Sequence, residues 1–183
     1  METTRIRTNS AEEDHRHEIH LSLRQARADD ARLLWDWAND PVVRASSLSP
    51  DFIEWDAHLA WFEAKLSSES TLIFIAECTE DGAPLGQVRF DMEEAGSAAI
   101  DISVAASSRR SSVGTALLER GLAEVQRRSF CDKVVARVKD GNAPSRHLFE
   151  KACFTCIGSQ TFPGSRLFVY QRILPLTSPD AIL

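Results

Sequence analysis

The sequence predicts an α+β (mixed α/β) domain, on three observations. Seven short segments carry the alternating or continuous apolar pattern of strands, and four longer ones carry the period of an amphipathic helix. The two kinds follow one another as β-α-α-β-β-β-α-β-α-β-β, mixing runs of strands with helices rather than repeating one β-α unit. The 183 residues, 43% hydrophobic and 26% charged, have the balance of a globular domain, and a chain of this length buries roughly 70% of its unfolded surface without metal or disulfide.

Residues 1–19 are polar, mixed in charge and aperiodic, and read as a mobile tail. The folded domain is expected over 20–174, with a short tail at 175–183. Leu21, Leu23 and Gln25 alternate with Ser22, Arg24 and Ala26 as a first strand, and Ala28-Asp29-Asp30 offers an acidic helix start. Ala31, Leu34, Trp35 and Ala38 then recur at helical spacing until Asn39-Asp40-Pro41, where proline disfavours helix in the residue before it. Val42 to Ser49 reads as a Ser-rich connector, and Glu54 to Leu66 as a second helix with Trp55, Leu59, Phe62 and Leu66 near one face.

From Thr71 the period changes. Leu72 to Ala76 reads as a buried strand, Asp81-Gly82 as a turn and Pro84 to Met92 as the next strand, an antiparallel meander that continues through a turn at Glu93 to Ser97 into Ala98 to Val104. A loop of small and basic residues, Ala105 to Ser112, precedes a helix over Val113 to Arg128. Lys133 to Val138 is a strand, Pro144 to Ala152 a helix, and Phe154 to Ser159 and Leu167 to Ile173 the last two strands.

Composition excludes several functions. Twenty-seven acidic against 21 basic residues give a net charge of −6, which opposes general nucleic-acid binding. No apolar run approaches the ~18 residues of a membrane helix, and the first twenty residues lack the apolar stretch of a secretory signal, so a cytoplasmic protein, monomer or homodimer, is expected. Cys78, Cys131, Cys153 and Cys156 are dispersed, and Cys153-x-x-Cys156 has no second pair to complete a zinc site. No metal is expected, and the pair is read as buried free thiols.

The most informative stretch runs from Ile100 to Leu118, a strand passing through Arg109, Arg110, Ser111 and Ser112 into Val113, Gly114 and Thr115 at a helix start. Unpaired N–H groups, small side chains and the helix dipole suit an anion there, and arginine adds charge-assisted bonds. A solvent-exposed helix start capped by Ser111 or Ser112 fits the same residues.

This segment resembles the pyrophosphate loop of the GNAT superfamily of N-acetyltransferases, Arg/Gln-x-x-Gly-x-Gly/Ala after the fourth strand. Arg109 takes the first position and Gly114 the last, with Ser112 where the first glycine is usual. Asn142-Ala143-Pro144-Ser145, continued by Phe149-Glu150-Lys151-Ala152-Cys153-Phe154, resembles the superfamily's next motif. The resemblance covers about Leu21 to Ile173. It implies a mostly antiparallel twisted sheet of about seven strands with four flanking helices, a bulged fourth strand splayed from the fifth, and acetyl-CoA as donor. It also implies cofactor contacts from Ile102, Val104, Ala106, Arg109, Arg110, Ser111, Ser112, Val113, Gly114, Thr115, Asn142, Ser145 and Phe149. The amides of Ile102 to Val104 would polarise the thioester carbonyl.

The tyrosine that protonates the leaving thiolate in many members corresponds to Phe149, which has no proton to give. Water or Tyr170, the only tyrosine, is left for that step. For the general base, Asp101 is a candidate because alternation turns it away from Ile100 and Ile102, toward a cleft or toward solvent. His58 on the second helix is the other candidate, or an inert surface histidine.

The N-terminal half, Leu34 to Arg44 with Ile53-Glu54-Trp55 and His58 to Phe62, resembles acetyltransferases of nucleotide-linked amino sugars, of the type found on the pseudaminic acid route. That implies a UDP-linked amino sugar as the small-molecule acceptor, held by Asn39, Arg44, His58 and Trp61, with at least two of the four tryptophans serving packing. A basic pocket near Arg44 is expected of such an enzyme, an open acidic groove of one acting on protein N-termini. Small amines, and a non-catalytic acetyl-CoA sensor, are the other readings.

Overall fold

The computed structural model describes residues 20–94, 96–162 and 164–175. The tails expected at 1–19 and 175–183 lie outside the described residues, apart from Pro175. The strands are β1 Leu21–Gln25, β2 Thr71–Cys78, β3 Pro84–Glu94, β4 Ser97–Val104, β5 Lys133–Lys139, β6 Thr155–Phe162 and β7 Ser165–Ile173. The helices are α1 Ala31–Ala38, α2 Pro41–Ser46, α3 Trp55–Leu66, α4 Val113–Arg127 and α5 Ala143–Lys151.

Five helices replace the four expected, because the Ser-rich connector contains α2. The residues that end α1 also begin α2. Asp40 caps it by accepting from the N–H groups of Val42 (2.9 Å) and Val43 (3.2 Å), and Pro41 fills a first-turn position where its missing N–H costs nothing. The β3–β4 and β6–β7 hairpins are also longer than expected, with tight turns at Gly96 and Gly164, both at positive φ.

The seven strands form one sheet in the order β1-β2-β3-β4-β5-β7-β6, antiparallel except between β4 and β5. That parallel pair is short: Ser97, Ala98 and Ala99 face Lys133, Val134 and Val135, and beyond them the two strands part. The split does not come from a bulge in β4. Its register against β3 is continuous from Ala98 to Val104, and the irregularity of that pair falls at Met92 and Glu94.

Two cores lie on opposite faces of the sheet. Leu117, Leu118, Leu122 and Val125 of α4 and Phe149 of α5 pack on Val88, Phe90, Ile100, Val134 and Ala136. Leu34 and Phe62, from α1 and α3, pack on Ile73 and Ile75. At Gly121 an added Cβ would lie 2.9 Å from Val88 Cγ1, so glycine lets α4 sit against the sheet. Of the cysteines only Cys131 is buried; Cys153 and Cys156 are exposed, against expectation. Cys153 sits in a left-handed turn after α5, and Cys156 lies on an edge strand whose residues are all exposed.

Candidate active site

Where β4 and β5 part, backbone donors are left over. Ala105 N–H bonds the Leu85 carbonyl at 2.9 Å, so by the alternation of a strand the odd-numbered β4 amides face β3. The N–H groups of Ile102 and Val104 therefore face the split, where β5 offers no partner. Both lie in the Ile102 to Val104 stretch that the resemblance assigned to polarising the thioester carbonyl.

The strand then turns through a short 3-10 segment, Ala106–Ser108, into α4. Arg110 and Ser112 hold left-handed backbone, φ 63° and 58°. An L residue there costs about 1–2 kcal/mol, the physical reason glycine suits the Ser112 position. Ser112 is the N-cap but makes no side-chain cap bond, and the Ser111 hydroxyl donates to the Ser108 carbonyl instead. The first-turn N–H groups of Val113 and Gly114 thus have no intrahelical acceptor. Thr115 is already committed, its N–H bonding the Ser112 carbonyl at 3.1 Å. Open amides, the positive end of a fifteen-residue helix and two arginines fit a diphosphate, and Gly114 lies beside Val104 at the mouth of the split. Arg109 is held by Asp40 at 2.6 Å, which ties the loop to the start of α2. Burial raises the Asp40 carboxyl, but Arg109 and the capped amides outweigh it and keep it below its ordinary value.

On the face of the sheet carrying α1 to α3 lies a cavity of about 590 Å³. Its floor is the polar face of three strands, Gln87 and Arg89 of β3, Asp101 and Ser103 of β4, Arg137 and Lys139 of β5. Its walls include His58 and Trp61 of α3 and Arg44 of α2. Asp101, with 55% of its side chain exposed, accepts from Gln87 Nε2 at 3.1 Å and lies 3.7 Å from the Arg89 guanidinium. His58 is 3% exposed, stacked on Phe62, with Nε2 3.0 Å from the Ala31 carbonyl. A carbonyl only accepts, so Nε2 carries the hydrogen and Nδ1 the lone pair. Burial pushes the imidazole pKa below its ordinary value, the Ala31 bond opposing it, and keeps the ring neutral near pH 7.

Asp101, His58, Arg44 and Trp61, candidates that the sequence could not place around one cleft, line a single cavity. Arg44 donates to the carbonyls of Ala38, Ser49 and Asp51 and to the Ser47 hydroxyl, so four of its five N–H donors order the α2–α3 connection. Asn39 is a correction. Its amide donates to the Ile53 carbonyl (3.0 Å) and accepts from the Ile53 N–H (2.8 Å), and it lies outside the cavity lining.

Two further corrections concern α5. Tyr170 is 1% exposed, its hydroxyl donating to Glu150 (2.8 Å) and accepting from Arg146 (3.2 Å), so it is a core residue rather than a donor to the cleft. Burial raises its phenol further from release, with Arg146 opposing and Glu150 adding to the effect. Phe149 packs edge-on to Phe154 and against Tyr170, filling core rather than touching a cofactor. Asn142 caps α5, its Oδ1 accepting from the Ser145 N–H at 3.2 Å, which commits one donor and one acceptor expected at the cofactor.

Among the tryptophans, Trp35 and Trp55 pack edge-to-face between α1 and α3 at 5.7 Å, and Trp61 is the one that lines the cavity. Sequence reasoning missed Gln87, Ser103, Arg89, Arg137 and Lys139. The signal is present: each of these strands places polar residues two apart within an apolar run, the mark of a polar sheet face under a cleft.

Comparison with known proteins follows this geometry. An acetyltransferase (GNAT) domain profile matches residues 20–155. The spermidine N-acetyltransferase of Vibrio cholerae, in complex with CoA and spermine, superposes with TM-score 0.75 at 16% identity, covering 84% of this chain and 95% of that one. An N-acetyltransferase from Staphylococcus aureus Mu50 gives 0.71 at 23% identity, over 85% and 99% of the two chains. An aminoglycoside acetyltransferase in complex with coenzyme A gives 0.71 at 19%, over 84% and 94%. At these identities the superpositions show the fold. No curated protein sequence matches the chain. With the domain profile spanning most of its length, over a split sheet and an open helix N-terminus, the chain belongs to the GNAT family as an acetyl-CoA-dependent N-acetyltransferase.

Proposed function

We propose that the acceptor is the primary amine of a nucleotide-linked amino sugar. One observation carries this reading: of the four cations lining the cavity, Arg89 and Arg137 are paired with Asp91 and Glu93, while Arg44 and Lys139 meet no carboxylate among the described residues, against the single lining carboxylate of Asp101, on a chain whose net charge is −6. Such a lining attracts a diphosphate and repels polycations, which opposes the polyamines and aminoglycosides that the structural neighbours are named for. Trp61, 37% exposed with the Arg89 guanidinium 4.9 Å from its ring, offers a flat face to a sugar or base.

The residues divide the work. Val113, Gly114, Arg109 and Arg110 hold the diphosphate of the donor, and Val104 and Ile102 present their N–H groups along its arm. When bound, acetyl-CoA supplies an activated acetyl group as a thioester. The Ile102 N–H stabilises negative charge on the carbonyl oxygen as the acceptor nitrogen forms its bond to carbon and the carbon–sulfur bond breaks. Asp101 attracts and orients the incoming ammonium. His58, neutral through burial, takes the proton through water, so that the nitrogen attacks with its lone pair. Protonation of the departing thiolate falls to water, since Tyr170 is committed and Phe149 has no donor.

The test follows release of the coenzyme A thiol colorimetrically with a UDP-linked amino sugar, with mass spectrometry of the product. Thiol release that depends on the acceptor, with an N-acetylated product, is the expected result. Slow release without any dependence on acceptor would overturn transfer and support an acetyl-CoA sensor.

A further inference from the structure

The four cations lining the cavity are not equivalent. Arg89 is neutralised by Asp91 at 2.7 Å, and Arg137 is bound at both terminal nitrogens by Glu93, at 2.7 and 2.9 Å. Among the described residues, Arg44 and Lys139 meet no carboxylate. Four of the five Arg44 donors are spent on carbonyls and a hydroxyl, which fix the guanidinium in place. The Lys139 ammonium makes one bond, to the Ala45 carbonyl at 3.2 Å, and keeps two N–H groups open at the cavity wall. That bond spans from β5 to α2, bringing the ammonium beside the residue that follows Arg44.

Register sets where this charge lies relative to the chemistry. Ala99 and Val135 are the last level at which the two strands pair; beyond it they part, with Asp101 two residues further along β4 and Lys139 four residues further along β5. At about 3.3 Å per residue, Lys139 lies about 7 Å further from the last paired level than Asp101 does, on the other side of the split, which leaves room for a sugar ring between an amine and the phosphate on its anomeric carbon. From this geometry we infer that Lys139, backed by the fixed charge of Arg44, seats the diphosphate of the acceptor and sets its specificity, while the amine reaches Asp101. The inference rests on the nucleotide-linked acceptor proposed above. Lys139 is a binding residue; it takes no part in the transfer itself.

The test is calorimetric titration of UDP into the protein already saturated with coenzyme A, so that the donor's phosphate loop is filled. In Lys139→Met the UDP Kd is expected to rise about tenfold or more, since one charge-assisted phosphate contact is lost. Lys139→Arg retains binding, and Lys133→Met, which changes a β5 lysine outside the cavity lining, leaves it unaltered. With the UDP-linked amine as acceptor, Lys139→Met raises KM by a similar factor and leaves kcat within about threefold, while KM for a primary amine without phosphate stays constant. UDP binding that is absent, or equal in wild type and Lys139→Met, overturns the inference. Lys139-dependent UDP binding without transfer to the UDP-linked amine upholds the anion seat and removes the acceptor reading; transfer with unchanged KM in Lys139→Met does the reverse.

Discussion

Gly86→Ala is the substitution through which the fold's hold on the active site is measured most cleanly. Gly86 lies on β3 opposite Val104, and a Cβ there would sit 2.6 Å from the Ser103 carbonyl oxygen and 3.1 Å from the Val104 Cα. Both are backbone atoms of β4, so no flexible side chain can swing away. Restoring an ordinary contact of about 3.4 Å requires β4 to move by about 0.8 Å, and overpacking of this kind costs about 1–3 kcal/mol. For a chain of this size each kcal/mol lowers Tm by about 2–4 °C, giving an expected fall of about 4–8 °C near the middle of that range. The segment displaced is the one whose Ile102 and Val104 amides face the split, and misplacement approaching 1 Å costs up to about 10²-fold in turnover. Calorimetry for Tm, titration for coenzyme A affinity and steady-state kcat/KM are the assays. Gly141→Ala is the control, because nothing lies within 4 Å of its added Cβ. A Gly86→Ala protein with Tm within about 1 °C of wild type and coenzyme A affinity within about twofold would refute the claim that close β3–β4 contact positions the amides.

Other expectations follow from single sites. At Gly114 an added Cβ meets Val104 Cγ2 at an ordinary 3.5 Å, so Gly114→Ala keeps or slightly raises Tm while weakening coenzyme A binding about tenfold; equal affinity by titration would remove the loop from the diphosphate site. His58 has a depressed pKa, so it is neutral above its ordinary value and protonates only as the pH falls further below it. The acid limb of log kcat/KM is therefore expected below about 6.5 and is lost in His58→Gln, which also lowers kcat; an unchanged profile would deny His58 the proton. Burial raises the Asp91 carboxyl, but Arg89, Lys65 and Thr71 hold it below its ordinary value. Its stabilisation is thus present above the unfolded pKa of about 3.9 and is lost as pH falls through the lower folded value. Asp91→Asn costs about 1–3 kcal/mol at pH 7 and flattens the loss of Tm with acid below pH 4, measurable by thermal melts across pH.

Much of the fold was legible because its strands and long helices announce themselves by period. Leu72 to Ala76, the Leu117 to Val125 stripe and the Asp81-Gly82 turn are read directly from residue pattern, and the structure places each as read. Helix α2 was hidden because six residues carry too little periodicity to outweigh a serine-rich composition, although Asp40-Pro41 is a helix-start signal. At the site, the Ile102 to Val104 amides were implied by the family resemblance of the segment that follows them, whereas the fates of Tyr170 and Asn39 depend on partners twenty and fourteen residues away, Glu150 and Ile53. The cationic floor was missed for the same reason. Arg89, Arg137 and Lys139 are unremarkable charges in sequence, and only the order of β3, β4 and β5 in one sheet brings them to a single cavity.

Competition between acceptors in one vessel tests the central claim most directly. The protein is incubated with limiting acetyl-CoA and equal amounts of a UDP-linked amino sugar, spermidine, an aminoglycoside and a short peptide with a free N-terminus, and acetylated products are counted by mass spectrometry. A cavity with two cations unpaired among the described residues, Arg44 and Lys139, against one lining carboxylate predicts that acetyl goes to the UDP-linked sugar and leaves the polycations unmodified. Preferential acetylation of spermidine or the aminoglycoside would contradict it.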